Sequence, residues 1–134
     1  MPELDPERIV LRFVNEINRH DVEALQSLMA PDFRFVDSVG QEVHGRERMR
    51  EAWTAYFERF PDYRILIREH LTVGSVVALF GTASGTYAVN GQLPHQNHWT
   101  VPAAWRALIR NEHVAEWQVY VDNEPVRKVI GEQR

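Results

Sequence analysis

Between His113 and Val121 the chain alternates Trp117, Val119 and Val121 with Gln118 and Tyr120, then runs directly into Asp122-Asn-Glu-Pro125, the opening of a helix. A period of two with the bulky residues on one side describes a strand that is half buried. Trp117, Val119 and Val121 therefore line an apolar interior that the rest of the chain has to enclose.

The segments ahead of it supply the enclosure. Asp5-Pro6-Glu7 reads as an N-cap, a proline at the first helical position and an acid at the positive end of the helix dipole, with Ile9, Val10, Phe13, Val14 and Ile17 at helical spacing behind it. Asn18-Arg-His-Asp21 breaks this helix, and Asp21 caps a shorter one carrying Leu25, Leu28 and Met29 that stops before Pro31. Phe33 and Phe35 alternate on a short strand ending near Asp37, and residues 38–45 connect to a third helix from about Arg46 to Phe60. Its apolar face holds Met49, Trp53, Tyr56, Phe57 and Phe60, opposite a charged, solvated face.

From Tyr63 the period switches to two, with Ile65, Ile67, Leu71 and Val73 on one side. Gly74-Ser75 turns into a strand from Val76 to Tyr87 that is apolar on both faces and so belongs inside a sheet. Asn90-Gly91 marks a turn, residues 98–109 form another strand, Asn111-Glu112 turns it, and a helix closes the chain. Helices followed by long antiparallel strands predict an α+β fold, a conical barrel of strongly curved, mainly antiparallel sheet wrapped around N-terminal helices.

The 134 residues fit one domain, 1–134, large enough for a core and a modest cavity. Fifteen Lys and Arg against nineteen Asp and Glu lack the basic surplus that drives phosphate binding, so no nucleic-acid partner is expected. The absence of Cys removes disulfides, thiolate metal sites and cysteine nucleophiles. The charged N-terminal segment is unlike a signal peptide and no run has the roughly 18 apolar residues of a membrane span, which predicts a cytoplasmic protein without membrane contact.

The element order, the Phe33-Arg-Phe-Val-Asp37 segment and the stretch Trp117-x-Val119-Tyr120-x-Asp122 together resemble the nuclear transport factor 2-like superfamily. This superfamily is the conical fold of ketosteroid isomerase, SnoaL-type cyclases and limonene epoxide hydrolase, and the resemblance spans essentially the whole chain. It implies that Asp37 acts as a general base, a role suited to a carboxylate whose pKa is raised in an apolar pocket. The bland alternative is an acid that binds the backbone at the end of its strand. The isomerase's two oxygen-stabilising donors fall here at Phe13 and near Ala103 or Ala104, which cannot donate. Tyr56, His98, Trp99 and Trp105 remain as donors. The epoxide hydrolase acid falls at Val119, which excludes that chemistry. The cyclase aspartate falls at Val121, one position before Asp122, and a one-residue offset turns a side chain to the other face of a strand. Asp122 is instead expected to cap the final helix.

Within that likeness, the catalytic candidates are Asp37 and His98, and the pocket is expected to be lined by Phe13, Phe35, Trp53, Tyr56, Trp99, Trp105, Trp117, Val119 and Val121. His95-x-x-His98 lacks a third ligand nearby, so no metal is assigned, and His20 and His70 read as surface residues. Four tryptophans suit either a flat ring ligand or plain core packing. The expectation is a binder of a hydrophobic cyclic small molecule, with proton transfer by Asp37 of the isomerase, cyclase or lyase kind and no cofactor. The alternative is a non-catalytic ligand-binding or protein-interaction module of the same fold. In either case a homodimer is expected, pairing through Glu116, Gln118 and Tyr120.

Overall fold

The structure, a computed structural model, describes residues 5–131. Helix α1 (Pro6–Arg19) begins with proline at its first turn, and its apolar residues Ile9, Val10, Phe13, Val14 and Ile17 are all buried. Asp5 makes no side-chain cap, contrary to the sequence expectation. Asp21 does cap α2 (Val22–Leu28), accepting the Ala24 N–H at 3.0 Å. Met29, expected to end α2, instead begins strand β1 (Met29–Val36), and Pro31 holds the next residue, Ala30, in the extended region.

The connection after β1 contains a three-residue strand, β2 (Glu42–His44), that alternation could not disclose at that length. Helix α3 (Arg46–Arg59) buries Met49, Trp53 and Phe57. Strands β3 (Arg64–Val73), β4 (Val76–Thr86), β5 (His98–Arg110) and β6 (His113–Val121) follow, and α4 (Glu124–Gly131) closes the described chain. Among the described residues no helix is long and apolar enough to cross a membrane.

One six-stranded sheet has the order β2-β1-β6-β5-β4-β3. Its pairings are antiparallel except β1 with β6, so the sheet is mixed. It is curled over α1 and α3 and remains an open cone with β2 and β3 as edges, rather than a closed barrel. The tight turns behave as their residues predict: Asn90 and Gly91 take positive φ, as do Asn111 and Glu112.

The pattern of β3 holds only halfway. A bulge between Ile67 and Glu69 shifts the register against β4. Ile65 is buried, whereas Leu71 and Val73, on the same side by simple alternation, are 59% and 79% exposed. One extra residue reverses every side chain beyond it.

Candidate functional site

A cavity of about 320 Å³ opens between α3 and the concave face of the sheet. Its wall is the product of two periodicities. Alternate residues Trp99, Val101, Ala103 and Trp105 of β5 face it, as do Trp117, Val119 and Val121 of β6 and Phe35 of β1. From α3 come Met49, Ala52, Trp53 and Tyr56, one helical face. Ala83 of β4 and Tyr63, just ahead of β3, complete that side. Where Ala52, Ala83 and Ala103 stand, larger residues would fill the space.

Among the described residues Asp37 is the only carboxylate in this wall. Its Oδ1 accepts the backbone N–H of Val39 at 3.0 Å and of Gln41 at 2.9 Å, while its own N–H donates to the Gln41 carbonyl at 2.9 Å. Gly40 has φ +85°, which this reversal requires. The turn fixes the carboxylate by one oxygen, so the two readings of Asp37, backbone ligand and cavity acid, describe the same side chain.

Asn123, in the junction between β6 and α4, also lines the cavity, and its Nδ2 donates to Ser38 Oγ at 2.7 Å. This bond ties the start of α4 to the Asp37 turn. The neighbouring Asp122 is exposed, and its Oδ1 accepts the N–H of Glu124, the first residue of α4, at 3.0 Å.

Two phenols bring the remaining polarity. Tyr56 and Tyr63 meet edge to face, centroids 4.9 Å apart. Burial pushes the pKa of Tyr56 up from its ordinary value, and that of Tyr63 well above it. Both therefore remain neutral O–H donors at any physiological pH. The indole Nε1 atoms of Trp53 and Trp99 are buried without an acceptor among the described residues.

Two expected site residues lie elsewhere. Phe13 is completely buried and packs on Trp117 at 5.0 Å, behind the cavity wall rather than in it. His98 is out of phase with the inward set of β5 and does not line the cavity. Its Nδ1 sits 2.9 Å from Thr86 Oγ1, and Thr86 in turn gives its hydroxyl proton to Asp62 Oδ2 at 2.6 Å and its N–H to Asp62 Oδ1 at 2.7 Å. A hydroxyl has one proton to give, so His98 must be the donor to Thr86.

His20 is likewise no simple surface residue: its ring stacks on Phe57 at 4.0 Å and its Nε2 lies 2.7 Å from the Tyr63 carbonyl. His70 Nε2 lies 3.6 Å from Glu7 Oε1. No group of three metal-ligating side chains occurs among the described residues.

Sequence reasoning missed Met49, Val101 and Ala103 as cavity residues, although each is in phase with a tryptophan that it did select, and Ala52, which is in phase with Tyr56. Tyr63 was in phase with Ile65 and Ile67 but was not carried into the pocket, Asn123 lies between two elements, where no periodicity applies, and Ala83 sits on a strand apolar on both faces.

The sequence model of the SnoaL-like domain family matches residues 10–117. No curated protein matches the chain in sequence. Among solved structures, the chain is similar to a protein of Catenulispora acidiphila with a ketosteroid isomerase-like fold, in complex with trimethylamine, at 21% identity and TM-score 0.77, covering 92% of both chains. It is similar to a candidate SnoaL-like polyketide cyclase of Shewanella putrefaciens at 16% identity and TM-score 0.81, covering 99% of both. It is also similar to IdmH, a candidate polyketide cyclase of Streptomyces antibioticus, at 21% identity and TM-score 0.78, covering 96% of this chain and 99% of the other. At these identities the likeness establishes the fold.

Proposed function

The chain belongs to the SnoaL-like domain family, and from that premise we propose that it binds a hydrophobic cyclic small molecule and moves a proton on it with Asp37, without a cofactor. The observation that carries this reading is one carboxylate, held rigidly by its turn, in a wall otherwise built of aromatic, aliphatic and neutral polar side chains. Oδ1 is engaged by two amides, which leaves Oδ2 to take a proton from a carbon acid and return it. An apolar cavity with a few fixed polar groups is what such a ligand needs. His98, held in its contact with Thr86 and Asp62, has no part in the step.

A second reading, binding without turnover, is favoured by one observation: Phe13 and an alanine, Ala103 or Ala104, stand where the resemblance puts the isomerase donors, and none of these side chains can donate a hydrogen bond. The two readings separate in one experiment. Native mass spectrometry against steroids, aromatic polyketide-like compounds and terpenoids identifies a ligand that also raises the melting temperature. Turnover of that ligand that disappears in Asp37→Asn, with binding retained, supports proton transfer. Binding without turnover in the wild type supports the second reading, and no binding in any class overturns both.

In this proposal the protein works as a cytoplasmic homodimer. The pairing surface is the convex face of the sheet, where Tyr120 is 51% and Phe80 38% exposed beside Glu116 and Gln118. A monomer in sedimentation at micromolar concentration overturns the dimer.

A further inference from the structure

The charge of the cavity wall is out of balance. Among the described residues that line it none carries a positive charge, and Asp37, half-buried, pairs with no described Lys, Arg or His. Its Oδ1 accepts two backbone amides, and its Oδ2 has no partner among the described residues. On the convex face the opposite holds, since Glu116 has Arg34 and Arg106 and Glu42 has Arg34. Burial keeps Tyr56 and Tyr63 neutral, so the wall carries a single negative charge. A carboxylate drawn partly out of water without a counter-ion is costly, and a cation brought by a ligand removes that cost.

The strand register puts aromatic rings beside that charge. β1 and β6 run parallel with Phe35 beside Trp117, so Asp37, two residues after Phe35 and like it lining the cavity, comes level with Val119. Val119 pairs with Trp105 on β5. With strands about 4.8 Å apart, the Cα of Asp37 lies about 10 Å from that of Trp105, and two residues of strand put it about 7 Å from that of Phe35. Asp37, Phe35, Trp117 and Trp105 thus line one patch of three adjacent strands, and the two indoles stack with centroids 6.3 Å apart. Aromatic faces attract a cation within about 6 Å of the ring centre, most strongly in tryptophan. One carboxylate and one amide cannot replace the water shell of a metal ion, whereas an alkylated ammonium is weakly hydrated and offers apolar surface to the rings. The volume of about 320 Å³ is at the small end of ligand pockets, roughly 300–1,000 Å³, and holds such a head group with one or two rings.

We propose that the cavity takes a one- or two-ring amine whose ammonium group, quaternary or protonated tertiary, sits between the Asp37 carboxylate and the rings of Phe35, Trp105 and Trp117. The inference rests on the cavity being the ligand site, the part that both readings above share, and it holds with or without turnover. Asp37 supplies the counter-charge, the rings supply cation–π attraction, and the remaining wall of Val101, Ala103, Val119 and Val121 takes the apolar part of the ligand.

The test uses two probes of nearly the same shape, (4-hydroxymethylphenyl)trimethylammonium and 4-tert-butylbenzyl alcohol, in which carbon replaces the charged nitrogen. Binding is read from tryptophan fluorescence, and competition between the probes shows whether they share the cavity. The expected result is that the wild type binds the cation about tenfold more tightly than the neutral probe. Asp37→Asn, which keeps an oxygen for the Val39 and Gln41 amides, abolishes that preference, while affinity for the neutral probe, the control for an intact cavity, stays unchanged. Trp105→Leu weakens the cation more than the neutral probe. Equal affinity for both probes in the wild type, or tighter binding of the neutral one, overturns the ammonium site and leaves the hydrophobic-ligand reading standing. A preference for the cation that survives Asp37→Asn, or a cation that does not displace the neutral probe, places the charge elsewhere on this acidic protein and overturns the site. Failure of both probes to bind overturns it together with the cavity as a site for molecules of this size.

Discussion

Adjacent residues of β6 show two ways of using one sheet. Trp117 points inward, 2% exposed, against Phe13 and Trp105. Glu116 points outward and is held by Arg34 at 3.0 Å and Arg106 at 2.8 Å, and Arg34 in turn grips both oxygens of Glu42 at 2.8 and 3.0 Å. On the convex face this ladder pairs each of its charges across β2, β1, β6 and β5. Behind the concave face the indole N–H groups of Trp53 and Trp99 find no acceptor among the described residues. The outer face therefore satisfies its polar groups in pairs, whereas the inner face gives up two indole hydrogen bonds to aromatic packing.

The sharpest test of that contrast is Trp117→Ala, which removes the largest fully buried side chain and is expected to destabilise the protein by about 3–5 kcal/mol in urea unfolding. Next is Gly81→Ala, whose Cβ would lie 1.8 Å from the Leu66 carbonyl oxygen. The β3–β4 ladder must give way at its bulge, with an expected loss of about 1–3 kcal/mol in the same measurement. Gly85→Ala probes mainly the cavity wall, since its Cβ would press at 3.0 Å on Trp99 Cζ2 and meet Phe60 Cβ only at 3.4 Å. Weaker ligand binding with a nearly unchanged melting temperature is expected, and unchanged binding would show that the position of Trp99 does not matter.

Glu116→Gln should have the smallest effect, within about 1 kcal/mol, as for partly exposed ion pairs. A loss as large as that of Trp117→Ala would erase the distinction between the faces. The ladder's signature is instead its pH dependence. Arg34 holds Glu42 down at about 2 from 4.5, and Arg106, then Arg34, lower Glu116. Both carboxyls bind protons less readily folded than unfolded, so their contribution is complete above about 4.5 and is lost as pH falls towards 2. Melting temperatures of wild type and Glu42→Gln should therefore converge through that range.

How much of this was legible in the sequence follows from where periodicity operates. Trp117, Val119 and Val121 were set on one face by alternation and Trp53 and Tyr56 by helical spacing, while Trp99 and Trp105 were chosen as large aromatics without a phase, and all seven line the cavity. His98 was misread because its histidine chemistry was weighed above its phase, one residue off Trp99. Phe13 occupies the layer behind the wall, a depth that no one-dimensional pattern records. The β3 bulge needed a partner strand to reveal it, and Asn123 reaches the cavity from a junction between elements, where only three-dimensional closure decides.

One small feature at the end of α1 affects how the molecule meets its neighbours. Asn18 Oδ1 accepts the N–H of Ile65 at 2.8 Å and its Nδ2 donates to the Ile65 carbonyl at 2.9 Å. The amide thus imitates, at one position of edge strand β3, the pair of bonds that another strand would make. With the bulge two residues further on breaking the even spacing of the remaining groups, an incoming chain finds no continuous row to zip onto. Beside the exposed Leu66, Leu71 and Val73, this is a built-in guard against edge-to-edge aggregation.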